Sequence, residues 1–168
     1  MDNPARAAIF RLMEHDLIIV GGGLNGPALA LAAARAGLTS VVLDALPAAT
    51  RSDDNFDGRG YALALASQRM LAALDLWDGL AADAQPMRQI KVTDGRVGEA
   101  QVFLGLHFDS AELEEGPMGY MLEDRFLRRA LMAATEASPL ITPRAGARVI
   151  AQTTGPEGAT VTLDGGEV

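Results

Sequence analysis

Gly21, Gly23 and Gly26 form the pattern GxGxxG, with Gly22 as an additional glycine, and Asp44 follows 18 residues after the last of them. Such glycines, placed between a strand and a helix, suit the binding of a pyrophosphate. Gly21 lets the chain turn sharply out of a strand, Gly23 has no Cβ to keep a phosphate away, and Gly26 lets the helix lie close to the sheet. Leu24 and Asn25 sit between them at the helix start, where free backbone N–H groups and the helix dipole favour an anion. Asp44 adds a carboxylate able to accept both hydroxyls of an adenosine ribose, and its charge disfavours a 2′-phosphate, so NADP is not expected at this turn. NAD and FAD both present an ADP moiety, and these residues do not separate them. The competing account is a glycine-rich turn that binds nothing, with Asp44 capping a loop.

Three elements must position this chemistry. An apolar run, DLIIV (Asp16–Val20), reads as a strand buried on both faces. A helical stretch, ALALAAARA, follows Pro27 and ends at Gly37, and VVLD (Val41–Asp44) reads as a second buried strand. Together they make one βαβ unit. Residues 45–60 read as a long polar loop. A helix is predicted from about Ser67, with Met70, Leu71 and Leu74 on one face and Trp77 and Met70 in a helix-packed core. Extended structure is predicted over Ile90–Leu106 around the turn-forming Asp94-Gly95. A second strong helix is predicted over roughly Asp124 to Ala137, with Phe126, Leu127, Ala130, Leu131 and Ala134 on one face. Leu140–Thr142, ARVIAQ and ATVTLD read as terminal strands.

The 168 residues carry 14 basic and 22 acidic side chains, a net charge of −8, with 49% apolar residues and no cysteine. That balance argues against general nucleic-acid binding. Without cysteine there are no disulfides, thiolate zinc sites, iron–sulfur clusters or cysteine nucleophiles. His15 and His107 stand apart from other ligand-type residues, so no metal site is expected. Tyr61 and Tyr120 read as packing residues, and the acidic loop 52–57 as a solvated face. With no apolar stretch near the ~18 residues a membrane helix needs, and no secretory leader, a cytoplasmic location is the simplest reading. Residues 1–12 read as a leader or extension. ATVTLDGGEV offers a strand, a turn and only two residues of a return, which suggests a chain cut from something longer and a sheet edge open to self-association.

Beyond the fingerprint, several stretches resemble the FAD-dependent aromatic hydroxylases of ubiquinone biosynthesis, the polyprenyl-methoxyphenol hydroxylase family. They are DLIIVGGGLNGPALALAAARAG, FDGRGYALALASQRMLAALDLWDGL, QPMRQIKVTDG and GYMLEDRFLRRAL, which cover residues 16 to about 150 in the family's order. The resemblance implies an α/β fold: a Rossmann-like FAD domain over residues 13–168, incomplete at its C-terminus, with part of an antiparallel substrate-binding sheet near 88–121. It implies FAD as cofactor, with NAD(P)H as reductant and O2 as co-substrate, and hydroxylation of a polyprenylated phenol. Gly21, Gly23 and Gly26 would then hold the pyrophosphate and Asp44 the ribose. Arg59, in DGRGYAL, and Arg125, in EDRFLRRAL, match arginines that reach the cofactor, a task suited to a permanently charged, forked guanidinium. Arg59 has an alternative role as a surface partner of Asp53, Asp54 or Asp57.

Contact with the inner membrane, where such a substrate lies, and with other ubiquinone-biosynthesis enzymes follows from the same resemblance. Three departures stand out. Asp44 replaces the family's usual Glu, Asp124 replaces a common Asn, and the chain ends before the family's later ADG- and GQG-type motifs, so no catalytic residue is assigned.

Overall fold

The computed structural model describes residues 15–51, 57–93, 98, 105–112 and 116–164. The chain divides into two compact units, Met1–Ser52 with Leu131–Val168, and Asp53–Ala130. The division falls within one helix, α5 (Asp124–Ala137).

The first unit is built on a parallel sheet in which β2 (Ser40–Asp44) lies between β1 (Leu17–Val20) and β8 (Ile141–Ala145). All five residues of β2 are buried, which explains its continuous apolar run. Alternation sends its side chains to two cores. Val42 packs with Ile19, Ala30 and Ile141, while Val41 and Leu43 pack with Leu163. The crossover helix α1 (Asn25–Arg35) faces the first core with Ala30, and Leu31 and Ala34 pack against it; the small alanines let the helix lie close to the strands. It begins earlier than the apolar periodicity suggests. Pro27 therefore falls in its first turn, where no intrahelical N–H is required. At its far end Gly37, at φ +80°, returns its N–H to Ala34 and the next N–H to Ala33.

The second core is covered by a hairpin of β9 (Val149–Gly155) and β10 (Gly158–Leu163), to which Val149, Val161 and Leu163 contribute. A single helical turn, α2 (Ala48–Arg51), lies inside the stretch expected to be loop.

The second unit holds an antiparallel sheet in the order β3 (Gly60–Ala64), β7 (Gly119–Glu123), β4 (Gln85–Met87), and a separate pair, β5 (Gln89–Thr93) with β6 (Gly105–Asp109). Of the extended structure expected over 90–106, β5 covers the start and β6 the last two residues; most of the stretch between them, with the Asp94-Gly95 turn, lies outside the described residues. The strand over 60–64 is new relative to the sequence reading. GYALA lacks β-branched residues, and its strand character comes from pairing with β7, some sixty residues away. Gly119 makes that pairing possible, since a Cβ there would run into the Leu63 carbonyl and come within 2.8 Å of Met87 Cε.

Helices α3 (Leu65–Ala73) and α4 (Trp77–Leu80) bury Leu71 and Leu80. Met70, expected in this core, is instead 45% exposed; it lies next to Leu71 in sequence and so is turned about 100° around the helix from it. Trp77 does pack, edge-on against Tyr120 with ring centroids 4.7 Å apart. Along α5 the buried stripe is Asp124, Leu127, Leu131 and Thr135. Its two polar members need internal partners, and Thr135 finds one by donating to the Leu131 carbonyl at 2.7 Å.

Candidate cofactor site

In the first unit the glycine turn emerges from β1 and is tied to β2. Gly21, at φ +113°, donates its N–H to the Leu43 carbonyl at 2.8 Å. Gly22 donates to Asp44 Oδ2 at 2.6 Å, and Leu46 donates to Asp44 Oδ1 at 2.7 Å. Asp44 is only 7% exposed. Each of its oxygens thus accepts a backbone N–H, and a carboxylate has further lone pairs available for hydroxyl donors.

The three fingerprint glycines differ in what requires them. Gly21 is fixed by its positive φ. At Gly26 a Cβ would collide with the Gly21 carbonyl and come within 3.3 Å of Ile19 Cγ2, so only glycine lets α1 start here. At Gly23 a Cβ would meet nothing within 4 Å, and the backbone is not left-handed. Nothing in the protein itself therefore requires glycine at position 23. Leu24 precedes α1 and Asn25 opens it. That helix has neither a side-chain cap nor an acidic residue in its first turn, which leaves its N-terminus suited to an external anion.

Beside the turn lies a cavity of about 170 Å³ within this unit, where Gly22 and Asp44 share walls with Met132, Thr135, Glu136 and Arg144. The α5 and β8 residues of this wall were missed by the sequence reading. They sit nearly ninety residues or more beyond Asp44 in the chain, and only the pairing of β8 with β2 brings them there.

The second unit collects charge where β3 and β7 meet the start of α5. Arg59 donates from Nε to Asp57 Oδ2 at 2.7 Å, and Asp57 Oδ1 accepts the Arg59 backbone N–H at 3.0 Å. The Arg59 guanidinium also lies 3.5 Å from Asp124 Oδ2. Asp124, 4% exposed, accepts from the Tyr61 hydroxyl at 3.2 Å and lies 3.2 Å from Arg128 Nε, one helical turn along. Its backbone N–H donates to the Arg59 carbonyl.

Three groups titrate differently as a result. Asp57 is held below the usual carboxylate range, chiefly by the Arg59 side chain. Hydrogen bonding to Asp57, with the charge of Asp124 second, holds the proton on Arg59 still more firmly. Burial first, and then the bond to Asp124, pushes the Tyr61 phenol up. Arg125 donates to Glu123 Oε2 at 2.7 Å and lies over the Phe126 ring, 4.7 Å from its centroid.

Of the residues singled out from sequence, Gly21, Gly23, Leu24, Asn25, Gly26 and Asp44 are therefore brought together in the first unit. Arg59 and Arg125 stand near the α5 start in the second, and Arg59 does pair with Asp57. No cluster of metal-ligating side chains occurs among the described residues. The first unit can accept an anion at α1, hydroxyl donors at Asp44 and a small organic body in the cavity.

Comparison with known proteins gives this arrangement a family. The model of the FAD binding domain matches residues 14–167. The chain is 41% identical over 152 residues to the ubiquinone hydroxylase UbiL of Rhodospirillum rubrum, covering 90% of the chain and 34% of the relative. It is 35% identical over 155 residues to the 3-demethoxyubiquinol 3-hydroxylase of Escherichia coli, covering 91% and 38%. The chain thus spans about a third of the length of these curated relatives.

Among solved structures, the R204Q variant of Klebsiella pneumoniae HpxO complexed with FAD shares the fold with a TM-score of 0.62 at 21% identity, over 89% of this chain and 35% of that one. Pseudomonas aeruginosa PqsL in complex with 2-aminobenzoylacetate does so with a TM-score of 0.65 at 19% identity, over 90% and 39%. The α/β dinucleotide-type fold and the ubiquinone-hydroxylase resemblance are both borne out. The chain belongs to the FAD-binding domain family.

Proposed function

We propose that this chain is the ADP-holding portion of an FAD-dependent monooxygenase that hydroxylates a polyprenylated phenol on the way to ubiquinone, with NAD(P)H as reductant and O2 as the oxygen source. The observation that carries the nucleotide half of this reading is Gly23, where open space faces a position that the fold does not require to be glycine. A pyrophosphate approaching the backbone supplies the missing reason. The residues present fit the ADP half of FAD: the uncapped start of α1 takes the pyrophosphate, Asp44 takes the ribose, and the adjoining cavity takes the base. Arg59 and Arg125 are assigned to the cofactor on the family resemblance. Bound FAD supplies the redox chemistry, carrying electrons from the nicotinamide to O2 for oxygen insertion into an electron-rich ring. The chain's part is to bind and orient that group.

The hydroxylase half rests on the similarity to UbiL and to 3-demethoxyubiquinol 3-hydroxylase. No described helix is long and apolar enough to cross a membrane. Peripheral contact with the inner membrane, action in the cytoplasm and contact with other enzymes of the route belong to the same proposal. So does self-association through a sheet edge at the terminal strands.

The test has two stages. Calorimetric titration of the chain with ADP and with FAD should show saturable binding; its absence removes the cofactor reading. For the full-length enzyme encoded at this locus, NADH consumption should rise on adding a prenylated phenol, and a hydroxylated product should appear. Consumption indifferent to the phenol would point instead to a flavin reductase or oxidase.

A further inference from the structure

We propose that Asp44 acts as a positioning residue: its carboxylate sets the shape of the glycine turn before any nucleotide arrives, in addition to meeting the ribose. This deepens, and rests on, the nucleotide reading above. The carboxylate is buried, and its two oxygens are shared between separate backbone amides, Gly22 at 2.6 Å on one side and Leu46 at 2.7 Å on the other. With the bond from the Gly21 N–H to the Leu43 carbonyl at 2.8 Å, two successive turn amides are tied to two successive residues at the end of β2. Bonds of an N–H to a carboxylate are about twice as strong as neutral ones.

The clamp acts where the backbone is least able to hold itself. Gly21, Gly22 and Gly23 are consecutive, Gly21 sits at φ +113°, and a three-glycine run has the greatest conformational freedom to lose on ordering. A turn already ordered binds an anion without that loss. Gly22 lies outside GxGxxG proper, yet it is the residue whose amide Asp44 holds.

A pure ribose acceptor and a turn-shaping residue predict different responses to the same substitution. Adenosine reports the ribose contact, and the gain of ADP over adenosine reports the turn and helix N-terminus. The experiment measures the affinities of the chain and of Asp44→Asn for adenosine and for ADP by NMR titration, together with the hydrogen exchange of the Gly22 amide without ligand. An asparagine side chain offers an oxygen to only one of the two amides and turns an N–H towards the other. The expected result is that the ADP-to-adenosine affinity ratio falls by about tenfold, the scale of one lost charge-assisted bond, and that Gly22 exchange accelerates in the free protein. If both ligands weaken by the same factor and the Gly22 amide is unchanged, Asp44 is a ribose acceptor only and the inference is overturned.

Should Asp44→Asn not fold, Asp44→Glu carries the test. Its carboxylate remains available to the ribose but is displaced by one methylene, so adenosine affinity should persist while the ADP gain shrinks; an intact gain overturns the inference. If the unaltered chain binds neither ligand, the nucleotide reading fails and takes this inference with it.

Discussion

Each of the two units buries an aspartate beside its candidate binding groups, and the two bond to different kinds of neighbour. Asp44 accepts a backbone amide at each oxygen and lines a cavity. Asp124 is held by cations and a phenol, with Arg59, Arg128 and Tyr61 around it, so its charge is cancelled locally. A carboxylate bonded to amides has lone pairs left that suit hydroxyl donors. A neutralised one leaves the guanidinium beside it engaged, and an anionic ligand must compete with Asp57 and Asp124 for Arg59. Under the proposed function the first unit binds through a backbone that Asp44 has already shaped, and the second binds at Arg59, whose side chain is paired yet 59% exposed.

Substitution of the glycines gives the largest expected effects and breaks the comparison from the backbone side. Gly26→Ala places a Cβ against the Gly21 carbonyl and Ile19 Cγ2, neither of which can yield without moving β1 or the turn. It should cost about 3 kcal/mol, read as a lowered denaturant midpoint. Gly23→Ala should leave that midpoint unchanged or slightly raised, because the added methyl meets open space and removes freedom from the unfolded chain, while ADP affinity falls by at least about tenfold, a loss of ~1.4 kcal/mol. Equal stability losses in the two variants would mean that glycine at 23 is structural after all.

The glycine turn was readable in the sequence because strand, turn and crossover helix are consecutive, and Gly26 answers to Gly21 and Ile19 just before it. The helix over 124–137 was readable for the same reason, its boundaries matching the apolar periodicity. What was hidden depends on pairing across the chain. Strand β3 exists because Gly119 lets β7 approach Leu63. The far wall of the cavity exists because β8 joins β2. Met70 looked internal because an apolar residue within a periodic run gives no sign of which flank of the stripe stays open to solvent. Asp124 could be flagged as an unusual residue at the helix start, yet its partners Arg59 and Tyr61 lie more than sixty residues earlier.

Among the charged groups, Asp124→Asn should have the larger effect and Asp57→Asn the smaller. Asparagine keeps the shape and an acceptor for Tyr61 but removes the counter-charge of Arg128, whose side chain is itself largely buried. A loss of about 2 kcal/mol is expected. Asp57 is solvent-exposed, so its replacement should not move the denaturant midpoint measurably. It should instead free the Arg59 fork and strengthen binding of an anionic ligand in a calorimetric titration with FAD. If Asp57→Asn weakens that binding, Arg59 depends on Asp57 for its orientation and the picture of competing carboxylates is wrong.

The smallest effect expected is in the pH profile, where the second unit supplies a signal at each end. Asp57 has a depressed folded-state pKa, so its contribution to stability is present above the ordinary carboxylate value of 3.8 and is lost as pH falls through the lower folded value. Tyr61 has a raised one, so its contribution is fully present below the ordinary phenol value of 10.0 and is lost as pH rises through the higher folded value. The chain contains only two tyrosines, so ultraviolet titration in a Tyr120→Phe background follows Tyr61 alone. Adding Asp124→Asn should bring that titration earlier without restoring the ordinary value, since burial is the larger cause and the charge of Asp124 the lesser. An unshifted titration curve would mean that Asp124 exerts no field on the phenol, and the cluster would reduce to separate ion pairs.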